Sequence, residues 1–394
     1  MSVADPPVPG ARKPESASPA VPACPSLTGL RFAAAGLVFA FHSSLTSSPV
    51  TAGQPVNLFA DPAVAVPYTE VLNTSGFAAV SFFFVLSGFV LAWSHRPGEP
   101  GRSFVRRRLL KIYPNHAVVW AAAMLLFAGA TTPVSRWLPN LLLVQSFSPD
   151  PGASISVNSP SWSLCSELLF YLVFPLLIGP VARIPERWLW PAAGLVAAAV
   201  AAVALLVQFA APGGPAAAGS PSTAQFWLGY FFPPTRLPDF LLGMLIARIV
   251  RTGRWRVGIG WSLLAFAACY ALSLLLPPVF RFDAAMIASL GLLVGSFASA
   301  DVRGARTGGL RSRPMVWLGE VSFAFYLCQG IVLLYGRTLI GGRQFSTPVA
   351  IVVLIGFFLA TVLAGWLLHV AVERPVMRRW GRRPRPLRAG LPAA

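Results

Sequence analysis

Ten stretches of the 394-residue chain are apolar enough to be helices immersed in lipid, and no other feature restricts its fold as strongly. A helix needs about 20 residues to cross the roughly 30 Å hydrocarbon core of a bilayer. Inside lipid the backbone must satisfy its own hydrogen bonds, which leaves helices and closed barrels, and continuous apolar runs of this length are helical, since barrel strands are short and alternating. The stretches are approximately 27–46, 74–94, 115–131, 162–180, 189–210, 236–250, 257–276, 283–300, 315–336 and 347–370. A further one, Trp137–Phe147, is too short to span and reads as an interfacial or re-entrant piece. Before the sixth stretch, Pro233-Pro234 must interrupt any helix running through Gln225–Pro234. The expected fold is an all-α polytopic transmembrane helical bundle of about ten helices.

Charge tests that expectation independently. Only 11% of residues are charged, against about a quarter in soluble domains, yet the formal net charge is +18. Such a charge beside long apolar runs is not a nucleic-acid footprint, because no polar fold carries it; the partner it implies is the lipid bilayer. Lysine and arginine mark cytoplasmic loops, and here the loops alternate between rich and poor. The tail with Arg31, the loops around 95–114, 181–187, 248–256 and 301–313, and the C-terminal segment together hold 26 of the 31 basic residues. The intervening loops hold Arg136, Arg236, Arg281, Arg337 and Arg343. Both termini are therefore expected in the cytoplasm, with an even number of crossings of the inner membrane. The 47–73 segment, with Asp61 and Glu70 and no basic residue, reads as the longest external loop. Residues 1–25, rich in Pro, Ala and Ser and without the apolar core of a signal peptide, are expected to be a disordered cytoplasmic tail. Residues 26–376 form the transmembrane domain and 377–394 a basic cytoplasmic tail. Cys24, Cys165, Cys269 and Cys328 form no CxxC pair, so neither a disulfide framework nor a metal site is suggested.

Ionisable residues inside spans are costly and usually functional. The first stretch carries Arg31 and, eleven residues later, His42. Eleven residues return a helix to within about 20° of its start and advance it roughly 16 Å, so the two share a face at different depths. With the N-terminus inside, His42 falls in the outer half; packing against a neighbouring helix is the competing explanation for it. The fourth stretch enters from outside as Trp162-Ser163-Leu164-Cys165-Ser166-Glu167, which would place Glu167 at a depth similar to that of His42. The sixth begins Arg236-Leu237-Pro238-Asp239, an i,i+3 pair able to neutralise itself. A histidine, two carboxylates and an arginine are thus expected at one level, either as a site or as a structural polar network. The run Arg106-Arg107-Arg108-Leu-Leu-Lys111 would suit polyphosphate or anionic lipid, although topology alone can produce such a cluster.

These residues resemble the motifs of the integral-membrane acyltransferase 3 family. The first motif is similar to Leu27-Thr-Gly-Leu-Arg31 with His42; the second to Gly76 through Ser87-Gly88-Phe89; the third to Arg108-x-x-Lys111-Ile-Tyr113-Pro114. A fourth resembles Trp162-Ser163-Leu164-x-x-Glu167-x-x-Phe170-Tyr171, and a fifth Arg236-Leu-Pro-Asp239-Phe-Leu-Leu-Gly243. Leu318 through Tyr326-Leu327 and Glu373-Arg374-Pro375 follow in order. The departures are Ser81, where members often carry an acidic residue, Lys111 in place of Arg, and Gln329 in place of His. The chain is similar to the stand-alone type, without an esterase-like domain.

The resemblance implies an enzyme that moves an acyl group, usually from acyl-CoA as co-substrate, to a hydroxyl of a carbohydrate or glycosylated product, with no permanently bound cofactor. Arg31 with Arg106, Arg107, Arg108 and Lys111 would hold the CoA phosphates, and the pantetheine arm would reach up the bundle. His42 would be the general base, worth typically 10²–10⁴-fold. Glu167, or Asp239, would orient the imidazole or hold acceptor hydroxyls; Trp162, Ser163, Tyr171, Arg236 and Gln329 would line the substrate path. Direct transfer is the expectation, with Cys165 close enough to stay open as a nucleophile. The Ala/Pro/Arg-rich composition and the Ser81–Ser94 phrase look like members that acylate macrolides; acylation of exopolysaccharide or surface glycan is the alternative. A secondary transporter is the rival of another class, since mid-bundle polar groups and broken helices are also its marks. A non-catalytic membrane interaction protein is a third reading.

Overall fold

The structure is a computed structural model that describes residues 22–50, 53–212 and 220–381. Every apolar stretch picked out above is a helix. In chain order these are α1 (Pro25–Ser43), α2 (Pro62–Ser94), α3 (Gly101–Ala128), α4 (Ser159–Arg183) and α5 (Glu186–Ala210). They continue with α6 (Leu237–Arg251), α7 (Ile259–Ser273), α8 (Ile287–Val302), α9 (Arg313–Leu339) and α10 (Thr347–Trp380). Among the described residues the only extended pairing is an isolated bridge between Phe59 and Phe345. Six of the ten, α2, α3, α4, α5, α9 and α10, are long and apolar enough to cross a membrane, so the chain is an all-α multi-pass membrane protein. The shorter α6 and α8 are largely buried within the bundle.

Several boundaries differ from the sequence reading, each for a local reason. Pro25 opens α1, because a proline at the first helical position gives up no hydrogen bond. The second helix begins twelve residues earlier than expected, at Pro62, where the Asp61 carboxylate caps it by accepting from the Ala63 amide. Residues 62–73 are therefore helix, not external loop. On α3 the basic run from Arg106 to Lys111 belongs to the helix itself. The Trp137–Phe147 region forms a short helix, Val134–Leu141, and one 3₁₀ turn. Pro233-Pro234 does break the chain, between a π-helical turn at Trp227–Phe231 and the start of α6. The final helix runs to Trp380, four residues into the segment assigned to the basic tail. Residues 1–21 and 382–394, where most of the two tails were placed, lie outside the described residues.

The bundle is built around the crossing of α2 and α6. A side chain on Gly88 would collide with the Phe240 carbonyl, and one on Gly243 would collide with the Val85 carbonyl. The two backbones touch reciprocally, which only glycine permits. In lipid, where apolar side chains gain little from leaving their surroundings, such close approach is a main source of helix association. Around the crossing, Phe170 of α4 stacks on Phe240 at 4.7 Å between centroids and meets Phe84 of α2 edge-on at 5.1 Å. A second close approach joins α1 to α9, where Gly319 leaves space for the Thr28 carbonyl.

One end of the bundle is basic and internally tied. Arg251 bonds the Trp93 carbonyl, Arg248 the Ile184 carbonyl at 2.8 Å, and Arg254 pairs with Glu186 at 3.4 Å. At the opposite end, Arg337 is buried and donates to the carbonyls of Arg343 and Pro55. Gly243→Leu drives a branched side chain into the α2 backbone. It is expected to cost more than the about 1–3 kcal/mol of ordinary overpacking, seen as a lower melting temperature in detergent or loss of monodisperse protein.

Candidate active site

Helix α1 presents Arg31 toward the basic end and His42 at its other end, in the arrangement that eleven-residue spacing dictates. Of the cavities along it, two are lined by these residues. The upper chamber, about 440 Å³, is lined by His42, Phe41, Phe77, Trp162, Tyr230 and Phe231, among others, and by Ser47, Ser48 and Pro49 from the loop beyond α1. Its walls are aromatic and interlocked: Trp162 meets Tyr230 at 4.5 Å and Phe231 at 4.9 Å, and Phe77 meets Tyr230 at 4.8 Å. The lower cavity, about 50 Å³, is lined by Arg31, Glu167, Ser163, Ser322, Phe323 and Tyr326.

The sequence reading placed Glu167, Asp239 and His42 at one level. The structure separates them. Glu167 faces the cavity of Arg31, not that of His42, because α4 begins at the level of His42, with Trp162 in the same chamber, and Glu167 lies about 7.5 Å further along the helix axis. Its carboxylate accepts from the Tyr171 phenol at 3.1 Å, one turn along α4. Arg31, Arg108 and Lys111 all lie close enough to act on it electrostatically. Asp239 is fully buried in a different cluster. There Arg236 pairs with Asp239 at 2.8 Å and with Asp283 at 3.1 Å, and donates to Ser81 Oγ at 2.6 Å. The guanidinium also lies over the rings of Phe84 at 5.3 Å and Tyr230 at 5.9 Å. Asp239 therefore braces the chamber wall through Arg236 and Tyr230. Asp283 opens the eighth apolar stretch but was not among the candidate residues; it lies in the connection before α8, and its partner Arg236 is far away along the chain. Ser81 completes the same cluster, so where an acidic residue was expected a hydroxyl meets Arg236, and Asp283 supplies a second carboxylate.

The partner of His42 is Gln329. Its Oε1 lies 3.0 Å from His42 Nδ1, while its Nε2 donates to the Ala35 carbonyl at 3.2 Å. An amide whose NH₂ is engaged by a carbonyl must offer its oxygen to the ring, so Nδ1 carries the proton and Nε2 keeps its lone pair. No hydrogen bond from another described residue reaches Nε2. That is the tautomer a general base requires. Gln329, expected along the substrate path, thus does what was assigned to Glu167.

The basic run divides. Arg106 donates to the Trp380 carbonyl at 3.2 Å, Arg107 pairs with Glu99, and Lys111 pairs with Glu373, whose second oxygen accepts from Asn115 at 2.9 Å. Arg106 and Lys111 fasten α3 to α10, and Arg107 ties it to its own leading loop. Arg108 lies over the Phe104 ring at 5.4 Å and within electrostatic reach of Glu167 and Tyr171, which places it with Arg31. Ser163 and Trp162 line the lower and upper cavities respectively. Cys165 donates to Gln145 at 3.0 Å and lines neither. Among the described residues no cluster of His, Cys, Asp or Glu could hold a metal ion.

A polytopic helical bundle with a held histidine in one cavity and an arginine and a glutamate in the next has the groups that an intramembrane group-transfer enzyme would need. Residues 25–370 match the acyltransferase 3 family, described as an acyltransferase domain, and the chain belongs to that family and is an acyltransferase. It is 42% identical over 378 residues to the acyltransferase MdmB of Streptomyces mycarofaciens, covering 93% of this chain and 94% of that protein. It is also 27% identical over 337 residues to the exopolysaccharide production protein ExoZ of Rhizobium meliloti, covering 81% and 94%. No solved structure matches. Gln329→Ala frees the imidazole to rotate and to change tautomer. It is expected to lower kcat at least tenfold, part of the roughly 10²–10⁴-fold a positioned base supplies, with substrate KM values nearly unchanged in steady-state assays.

Proposed function

We infer that this enzyme is a membrane-bound O-acyltransferase that takes its acyl group from acyl-CoA and delivers it to a hydroxyl of a sugar or glycosylated natural product such as a macrolide. The observation that carries this reading is the His42 Nε2 held bare over a chamber large enough for a small-molecule substrate, with the cations Arg31 and Arg108 beneath it. All ten helices α1–α10 cross the inner membrane, the shorter α1, α6, α7 and α8 included, and both termini lie in the cytoplasm. The basic end then faces the cytoplasm, where CoA is found. Arg31 and Arg108 take the donor's phosphates, and Glu167 nearby offsets their charge when the donor is absent.

As the acceptor oxygen attacks the thioester carbonyl, His42 Nε2 receives the hydroxyl proton. The C–S bond then breaks, an ester C–O bond has formed, and the proton passes from His42 to the departing CoA sulfur. No covalent acyl-enzyme is needed, in keeping with the position of Cys165 away from both cavities. The aromatic walls of the chamber suit an acceptor with apolar faces, and the 42% identity to an acyltransferase of a Streptomyces favours a glycosylated macrolide. The 27% identity to an exopolysaccharide production protein keeps a surface or secreted glycan as the second reading.

Membranes containing the protein, given radiolabelled acetyl-CoA with either a glycosylated macrolide or an exopolysaccharide preparation, distinguish the two by which acceptor is labelled. Flux of a solute without any acylated product would instead establish a transporter. His42→Ala is expected to abolish transfer while the protein still binds CoA; more than a few per cent residual activity removes the general base from His42. Arg31→Ala should raise the donor KM before it lowers kcat. Glu167→Gln keeps the shape and removes the charge, and an unchanged rate would reduce Glu167 to packing.

A further inference from the structure

The lower cavity and the upper chamber have two lining residues in common, Val80 of α2 and Tyr326 of α9. Residues that line two cavities form the wall between them. If the donor's phosphates lie by Arg31 and its thioester meets an acceptor at His42, the pantetheine arm must pass this wall. In the structure the way is shut. Tyr326 is buried, and its hydroxyl is tied across to α4: it donates to the Pro160 carbonyl at 2.9 Å and lies 2.9 Å from Ser163 Oγ.

The two residues differ in what they can do. Val80 is short and β-branched, with one strongly preferred rotamer in a helix, so it has nothing to swing. Tyr326 is a long lever held by two hydrogen bonds, and rotation about its Cα–Cβ bond carries the ring out of the wall. A tyrosine whose task was only to fasten α9 to α4 would have no need to face both cavities. Ser163, which stands in the motif Trp162-Ser163-Leu164, then has a defined role as the catch on which the phenol closes.

We propose that Tyr326 is the gate of the donor passage and a determinant of donor specificity: its ring separates the Arg31–Glu167 cavity from the His42 chamber, its displacement admits the acyl thioester, and the gap against Val80 limits the bulk of the acyl group that passes. The proposal rests on acyl-CoA entering from the basic end.

The test compares purified wild type with Tyr326→Ala, Val80→Phe and the double variant. Transfer is measured from acetyl-CoA and hexanoyl-CoA to the acceptor labelled by wild-type membranes; retention of tritiated CoA is measured separately, and melting confirms folding. Tyr326→Ala is expected to raise the ratio of kcat/KM for hexanoyl-CoA over acetyl-CoA tenfold or more, with CoA retention within twofold of wild type. Val80→Phe, which narrows the gap, should lower transfer from both donors at least tenfold while CoA is still retained. The double variant should recover transfer, a rescue that simple damage to packing would not give. The gate is overturned if folded Val80→Phe transfers at the wild-type rate or loses CoA along with transfer, or if folded Tyr326→Ala keeps the wild-type donor ratio. Should Tyr326→Ala not fold, Val80→Phe decides alone. Wild type that transfers from no acyl-CoA overturns the donor reading and the gate together, whereas an active wild type with unaltered variants overturns the gate only.

Discussion

Everything in this bundle is arranged about the point where α2 and α6 lie backbone on backbone. Because Gly88 and Gly243 let each helix rest on the other's carbonyls, the side chains on either side of the crossing are drawn inward to distances that larger residues would forbid. That is how Ser81 of α2 and Asp239 of α6 come to share one guanidinium, with Arg236 as the common donor. The cluster could not be assembled in lipid piecemeal, since a buried charge without partners is too costly there. The apolar contact comes first in the logic of the fold, and the polar cluster is what it makes possible.

From that cluster the order propagates toward the chamber. Arg236 lies over Tyr230, which packs on Trp162 and Phe77, and these rings are the walls that face His42. Asp239 and Asp283 therefore act on the chamber at a distance, by fixing a wall. The histidine itself is governed from the other side, through Gln329. Two independent supports thus converge on one space: an electrostatic brace from α6 and a hydrogen-bonded holder from α9.

Much of this was legible in the sequence, and what was not has physical reasons. Apolar length located the helices, and helical geometry placed Arg31 and His42 on one face of α1. The early start of α2 was hidden because residues 62–73 include Pro67, Glu70 and Asn73, whose composition is that of a loop. Glu167 was set at the wrong level because counting from a helix end assumes that the helix starts at the membrane surface, whereas α4 starts inside the bundle, with Trp162 already beside the chamber of His42. The roles of Gln329 and Asp283 depend on which helices become neighbours, and each partner is far away along the chain. Gln329 nevertheless left a trace, for it stands three residues after Tyr326 and so lies near the same face of α9.

That spacing ties two events to one helix. Tyr326, in the wall between the cavities, and Gln329, which holds the imidazole, are carried less than one turn apart on α9. If α9 as a whole shifted or turned to widen the space beside Tyr326, Gln329 would be withdrawn from His42 in the same movement. On the mechanism proposed above, only motion of a side chain against a stationary helix would leave the imidazole ready when the donor arrives. Seen this way, the contact of Gly319 with the Thr28 backbone, which locks α9 to α1, has a kinetic meaning as well as a structural one: it keeps readiness independent of access.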